Sequence, residues 1–116
     1  MPVIESYDFG EIIIDRRRYF NDVIIFPDRV KSGWWRREGH KLSIEDLEEV
    51  LKERPKILII GTGYSGLMKV PDEVKERLKS LGIKVIVEPT REACRTYNAM
   101  MKSEGKRVIA ALHLTC

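Results

Sequence analysis

The stretch Ile57-Leu58-Ile59-Ile60-Gly61-Thr62-Gly63-Tyr64-Ser65-Gly66 sets an apolar strand directly before three glycines spaced like a dinucleotide-binding turn. A strand that is apolar at every position is one covered on both faces, so Ile57 to Ile60 is expected at the centre of a sheet. In a dinucleotide fingerprint the third glycine already lies in the helix that holds the pyrophosphate, and an acidic residue follows about 20 positions later. Glu88 meets the second condition. The first fails, because Leu67, Met68, Lys69 and Val70 intervene before Pro71 can start a helix. The glycines are therefore expected to shape a crevice loop, with neither NAD nor NADP bound and no cofactor implied.

Downstream, Pro71 opens a helix with Val74, Leu78 and Leu81 inward and Gly82 as its stop. Ile83 to Val87 reads as a strand, and Thr90 as the cap of a helix that turns Ala93, Tyr97, Met100 and Met101 to the core. Gly105 ends that helix, and Val108 to Leu114 forms the last strand. The second half is thus β-α-β-α-β, which predicts a three-layer α/β domain. Upstream, Ser43 followed by Asp46 starts a helix with the stripe Ile44, Leu47, Val50 and Leu51, closed by Pro55. Before it the chain is strand-like from Gly10 to Pro27: Ile12 to Ile14, a turn at Asp15 to Arg17, Tyr19 and Phe20, then Val23 to Phe26 after Asn21-Asp22. Val30 to Arg36 is expected to add a strand carrying Trp34 and Trp35.

A chain of 116 residues, 43% hydrophobic and 34% charged, fits a single domain over residues 1–116. The N-terminus lacks a basic segment followed by an apolar one, and the apolar runs are of strand length, so a cytoplasmic protein without a membrane span is expected. Cys94 and Cys116 are too few and too ill-spaced for a zinc site, and no metal is expected. The net charge of +3 does not demand a nucleic-acid partner. The absence of Gln and the abundance of Ile, Lys, Glu and Arg resemble heat-adapted composition and predict a thermophilic source.

If the strands ending at Ile60 and Val87 are parallel neighbours, the Gly61 to Gly63 loop meets the Pro89-Thr90 turn at their carboxyl ends, where open α/β sheets place ligands. Glycine amides, the hydroxyls of Thr62 and Thr90 and a helix N-terminus would together suit a small carboxylate or phosphate. The same residues equally suit a tight turn and a helix cap. Asn98 shares a helix flank with Cys94 and Met101, where a partly buried amide needs backbone partners, with the glycine loop as one source. Tyr97 belongs to the buried stripe. His113 and Cys116 are three apart in an extended segment and so point to opposite faces, which disfavours a thiol-imidazole pair. Trp34-Trp35-Arg36-Arg37 combines aromatic faces with positive charge, suited to a protein interface or to single-stranded nucleic acid. By strand alternation one tryptophan packs inward and the other is exposed.

Gly61-Thr62-Gly63, Lys69-Val70-Pro71, Thr90 with Ala93, Tyr97-Asn98, Gly105 and the ending His113-x-Thr115-Cys116 occur together and in order. This combination resembles the domain-of-unknown-function family that includes mitochondrial complex I assembly factor 3 and the adipogenesis-associated domain-containing protein of animals, with the ending closer to the second. The resemblance implies a three-layer α/β fold on a central mixed sheet with three helices and a β-rich N-terminal part. It supplies no established catalytic residue, substrate or cofactor. The expectation is a non-catalytic binding or assembly-type protein acting on a protein partner or small anion. An enzyme working in the glycine-loop crevice, or nucleic-acid binding through Trp34 to Arg37, is the alternative. Calorimetric titration with NAD and NADP should give no stoichiometric complex; one of micromolar affinity would restore the dinucleotide reading.

Overall fold

The computed structural model describes residues 2–116. Five strands come first: Ile4–Asp8 (β1), Glu11–Ile14 (β2), Arg17–Tyr19 (β3), Val23–Phe26 (β4) and Arg29–Ser32 (β5). A 3-10 turn, Ile44–Leu47, leads into the short helix Glu48–Glu53 (α1). Then follow Ile57–Thr62 (β6), Asp72–Ser80 (α2), Lys84–Glu88 (β7), Thr90–Glu104 (α3), a 3-10 turn at Gly105–Arg107 and Val108–His113 (β8).

The strands form a small antiparallel sheet in the order β1-β2-β3 and a five-stranded mixed sheet in the order β5-β4-β8-β6-β7. β6 runs parallel to both neighbours, with Gly61 opposite Glu88 on β7 and Thr62 opposite His113 on β8. β8 is antiparallel to β4. All six residues of β6 and all six of β8 are buried, as strands between two covering layers are, with Thr62 and His113 the polar residues at their ends.

Side-chain parity along these strands separates two cores. Ile57, Ile59, Ala110, Leu112 and Leu114 pack with Ala93, Tyr97 and Met101 of α3 and with Ile4, Tyr7, Ile12 and Ile14 of the small sheet. Leu58, Ile60, Ile109 and Ala111 pack with Val50 of α1, Val74 and Leu78 of α2, and Trp34, Leu42 and Met68. The result is the expected three-layer α/β arrangement: α1 and α2 on one face, the mixed sheet between, α3 and the small sheet on the other.

Several local expectations are corrected. Ile4–Asp8 is a strand that alternation misses, because its register shifts between Ile4 and Ser6 and a bulge breaks the period of two. The strand expected over Val30 to Arg36 is Arg29–Ser32 and stops before Gly33, whose φ is 77°. There the Gly33 and Trp34 amides both donate to the Asp22 carbonyl at 2.9 and 3.0 Å instead of continuing the ladder. Ser43 precedes a 3-10 turn rather than an α-helix, and its amide and hydroxyl both donate to the Asp46 carboxylate at 2.9 Å.

Two glycines of β6 and its loop are required by packing. A Cβ at Gly61 would lie 2.8 Å from Thr90 Oγ1 and 2.9 Å from Leu112 Cδ2. At Gly63, where φ is 110°, it would lie 2.5 Å from the Cys116 carbonyl oxygen. Overpacking of this kind costs about 1–3 kcal/mol, so Gly61→Ala and Gly63→Ala should each lower unfolding free energy by that order in urea titrations. Gly39 has open space around it and no positive φ. Gly39→Ala is the control and should be neutral or stabilising by about 0.4–1 kcal/mol.

Candidate functional site

β6 and β7 are the parallel neighbours that the crevice reading needs, and the glycine loop does meet the start of α3. The two close on each other. The Gly63 amide donates to Thr90 Oγ1 at 2.8 Å, the Thr90 amide donates back to the Gly63 carbonyl at 3.0 Å, and Thr90 Oγ1 donates to the His113 carbonyl at 2.6 Å. Thr90 is thus the first residue of α3, after Pro89 at the N-cap, and its hydroxyl bridges the glycine loop after β6 to β8 instead of capping its own helix. The Thr62 hydroxyl donates to the Glu88 carbonyl at 3.2 Å. The Tyr64 and Leu67 amides go to the carbonyls of Thr115 and Cys116. The amides and hydroxyls expected to face an anion are therefore engaged inside the protein.

Asn98 lies eight residues along α3 from Thr90, about 12 Å at 1.5 Å rise per residue. It braces β1 rather than the glycine loop: Nδ2 donates to the Ile4 carbonyl at 2.8 Å, and Oδ1 accepts the Ile4 amide at 3.1 Å. Tyr97 is core, with its hydroxyl donating to the Pro2 carbonyl at 2.7 Å. Burial pushes the Cys94 thiol up to about 12, which makes it a poor nucleophile, while Cys116 is exposed.

The chain goes from β6 to β7 on one side, with α2 on one face, and then returns past β6 to β8 with α3 on the other. That reversal lies between β6 and β8, and His113 ends β8 there. His113 has the same parity as Ile109 and Ala111, so its ring enters the layer of Trp34, Leu42 and Met68. Asp22, just before the antiparallel β4, arrives at the same edge. Its Oδ1 accepts the Leu114 amide at 2.8 Å. Its Oδ2 accepts His113 Nδ1 at 2.7 Å and Arg36 Nη2 at 2.8 Å. The Arg36 and His113 nitrogens stand 3.0 Å apart because both donate to that one oxygen.

Side-chain exposures of 15% for Asp22, 5% for Arg36 and 7% for His113 place three ionisable groups inside the protein. Burial alone would push the Asp22 carboxyl up, but hydrogen bonds from His113, the Leu114 amide and Arg36 outweigh it and hold it below the ordinary carboxylate range. Arg36 also donates Nε and Nη2 to the Gly39 carbonyl, and its guanidinium lies 4.7 Å from the Trp34 ring centroid. Arg36 Nη1 and His113 Nε2 are buried without a hydrogen-bond partner among the described residues.

The segment that carries Trp34 to Gly39 forms a strap over this cluster. Asp46 fastens it, accepting Trp34 Nε1 at its carbonyl and the Arg37 amide at Oδ1. Trp34 is 6% exposed and Trp35 88% exposed, the inward-outward split expected from the sequence, although no strand produces it. Arg36, expected at the interface, points inward. Trp35, Arg37, Phe20, Asn21 and Thr115 border an open groove of about 560 Å³ whose inner wall includes Asp22, Trp34 and Arg36. In the sequence Asp22 is marked only as preceding Val23 to Phe26, and nothing beside it points to the cluster. The available signal was His113, a histidine at the buried parity of an otherwise apolar strand.

Residues 4–113 match the family described as protein of unknown function (DUF498/DUF598). The chain belongs to that family. A curated relative, the zebrafish (Danio rerio) NADH dehydrogenase [ubiquinone] 1 alpha subcomplex assembly factor 3, is 32% identical over 95% of this chain and 63% of its own length. The chain thus spans about three fifths of the relatives bearing that name. A conserved hypothetical protein from Pyrococcus horikoshii OT3 is 30% identical over 97% of this chain and 98% of its own, with a TM-score of 0.77. A solved protein called MT938 is 29% identical over the full length of both chains, with a TM-score of 0.80. Among the described residues no helix is long and apolar enough to cross a membrane, and no three His, Cys, Asp or Glu residues are grouped to hold a metal ion.

Removing one partner of a buried charge pair leaves the other uncompensated, at about 3–5 kcal/mol. Asp22→Ala should lose stability on that scale in chemical denaturation. The native Asp22 pKa lies below the unfolded value, so its contribution is complete above the unfolded carboxylate range, about pH 4, and is lost as pH falls through the native pKa. Unfolding free energy of the wild type should therefore fall on acidification below about pH 5, with a shallower slope in Asp22→Asn. Equal slopes would contradict this account of Asp22.

Proposed function

We propose that this chain is a non-catalytic binding protein of the assembly type, and that it holds a partner polypeptide against the groove bordered by Trp35, Phe20 and Arg37. One observation carries the reading: Trp35 is 88% exposed while the residues on either side of it, Trp34 and Arg36, are buried and fixed. A large aromatic side chain held in water by a rigid backbone suits the anchor of a protein interface, where Trp and Arg are enriched. Exposed Phe20 stands on the same groove, so the apolar surface is shared rather than isolated. Membership in a family related to a complex I assembly factor supports the same reading, with its partner a subunit awaiting incorporation into a larger assembly. Two features weaken the nucleic-acid alternative. Arg36 is committed to Asp22, and Arg37 lies 3.7 Å from Glu45, which leaves little free positive charge beside Trp35.

The test is crosslinking in the native cells with tagged wild type and Trp35→Ala, followed by purification and quantification of the bound chains. A defined polypeptide should be recovered near stoichiometry with the wild type and be reduced about tenfold or more in the variant, as for a central interface anchor. Unaltered recovery by Trp35→Ala, or recovery of nucleic acid alone, would overturn the assignment.

A further inference from the structure

The five-stranded sheet ends at β7, which pairs with β6 on one side and with no strand among the described residues on the other. Hydrogen-bond parity decides which of its groups face outward. The Lys84 amide donates to the Lys56 carbonyl at 2.8 Å, and the Glu88 carbonyl accepts the Thr62 hydroxyl. Lys84, Ile86 and Glu88 therefore turn their backbone groups toward β6, and Val85 and Val87 present N–H and C=O to the free edge. Side chains divide with the same alternation: Val85 and Val87 pack on the α2 side, and Ile86 on the α3 side, all three half-buried. Natural edges of this kind are usually blunted by charge, proline or a bulge. β5, at the opposite edge, carries Arg29 and Lys31 and no acid. β7 instead keeps three apolar residues in a row between one lysine and one glutamate.

We infer that β7 pairs antiparallel with β7 of a second copy of this chain, joining the two mixed sheets across a two-fold axis. Outward groups must meet outward groups, which permits Val85 opposite Val85, Val85 opposite Val87, or Val87 opposite Val87. Only the second register pairs all five residues, with Ile86 against its own copy on the axis. It also sets Lys84 opposite Glu88 of the second copy, twice and on one face, where opposite charges support a cross-strand pair. The other two registers leave both charges without that partner, and a parallel copy would bring lysine beside lysine. Lys84 is exposed, and Glu88 is steadied by the Thr96 hydroxyl, which donates to its Oε1 at 2.6 Å and leaves the other oxygen for the lysine. Beside the edge, Lys75 and Lys79 of α2 line an open groove of about 490 Å³ with Ile83, Lys84 and Val85. Asp72 and Glu76 stand among these lysines at helical spacing, so the flank has no net charge to repel a copy. None of the residues bordering the Trp35 groove belongs to β7, so this inference does not rest on the partner reading.

Five residues of strand bury less than the roughly 800 Å² per partner of a standard interface, so a dimer of micromolar strength is expected. Sedimentation equilibrium of the wild type from about 10 µM to about 1 mM, the range that such an affinity requires, should approach twice the 13.5 kDa chain mass. Amide hydrogen exchange should slow at Val85 and Val87 as concentration rises, with Ile86, already bonded to β6, as the internal reference. Lys84→Glu sets like charges opposite each other in both pairs and should weaken the dimer about tenfold or more, as should Glu88→Lys. Mixing the two variants restores both opposite-charge pairs, so their heterodimer should regain wild-type affinity. Circular dichroism checks that each variant is folded. If Glu88→Lys loses its fold through the Thr96 contact, Lys84→Glu alone keeps the test, and added salt should recover part of its loss by screening. A wild type that stays monomeric would overturn the proposal and leave the edge to a strand from another polypeptide. A dimer that Lys84→Glu does not weaken, or exchange at Val85 and Val87 that ignores concentration, would overturn it as well and place the contact elsewhere.

Discussion

The Asp22 side chain, at the point where β4 lies between β8 and β5, ties the Trp34–Gly39 strap to the end of the sheet. It accepts from the backbone just past β8, from the last side chain of β8 and from a guanidinium on the Trp34–Gly39 strap, while its own carbonyl ends β5 by accepting the Gly33 and Trp34 amides. Charges taken out of water cost several kcal/mol each, and their attraction returns that only when the remaining protons and lone pairs are satisfied. Asp22 is well satisfied. Arg36 and His113 are not, so the cluster is better understood as a device for positioning than as a source of stability.

What it positions is the alternation of Trp34 and Trp35. In a strand, that alternation follows from backbone geometry alone. Here the strap has no ladder, and the inward turn of Trp34 is held by Arg36 over its ring, by Asp46 at its indole nitrogen and by Asp22 at its amide. Trp35 is exposed as a consequence.

Legibility in the sequence followed the range of the interactions. β6, β7, β8 and α2 and α3 were readable because local apolar periodicity and nearby glycines and prolines decide them. β1 was not, since its bulge removes alternation, and neither was the true end of β5, which a residue ten positions earlier determines. Thr90 reads locally as a helix cap and Asn98 as an amide in need of backbone partners, yet the groups they bond, His113, Gly63 and Ile4, lie 23 to 94 residues away. The Asp22–His113 pair spans 91 residues. No local pattern carries such a contact; only the polarity of His113 at a buried strand position marks that one exists.

The glycine loop shows why a dinucleotide-like spacing is weak evidence by itself. Backbone close approach is needed wherever two elements pack without room for a Cβ, and a pyrophosphate is only one thing that can come close. In this chain the approaching groups are Thr90, Leu112 and the backbone of Thr115 and Cys116. Once those amides are engaged, recognition can use only groups whose bonding is incomplete. Among the buried side chains these are Arg36 and His113, on the β8 side of β6, with the exposed Trp35 beside their groove. The carboxyl ends of the sheet thus carry two unlike surfaces: one at β6 and β7, where Thr62, Gly63 and Thr90 are bonded inside the protein, and one at β8, where two buried side-chain nitrogens are not.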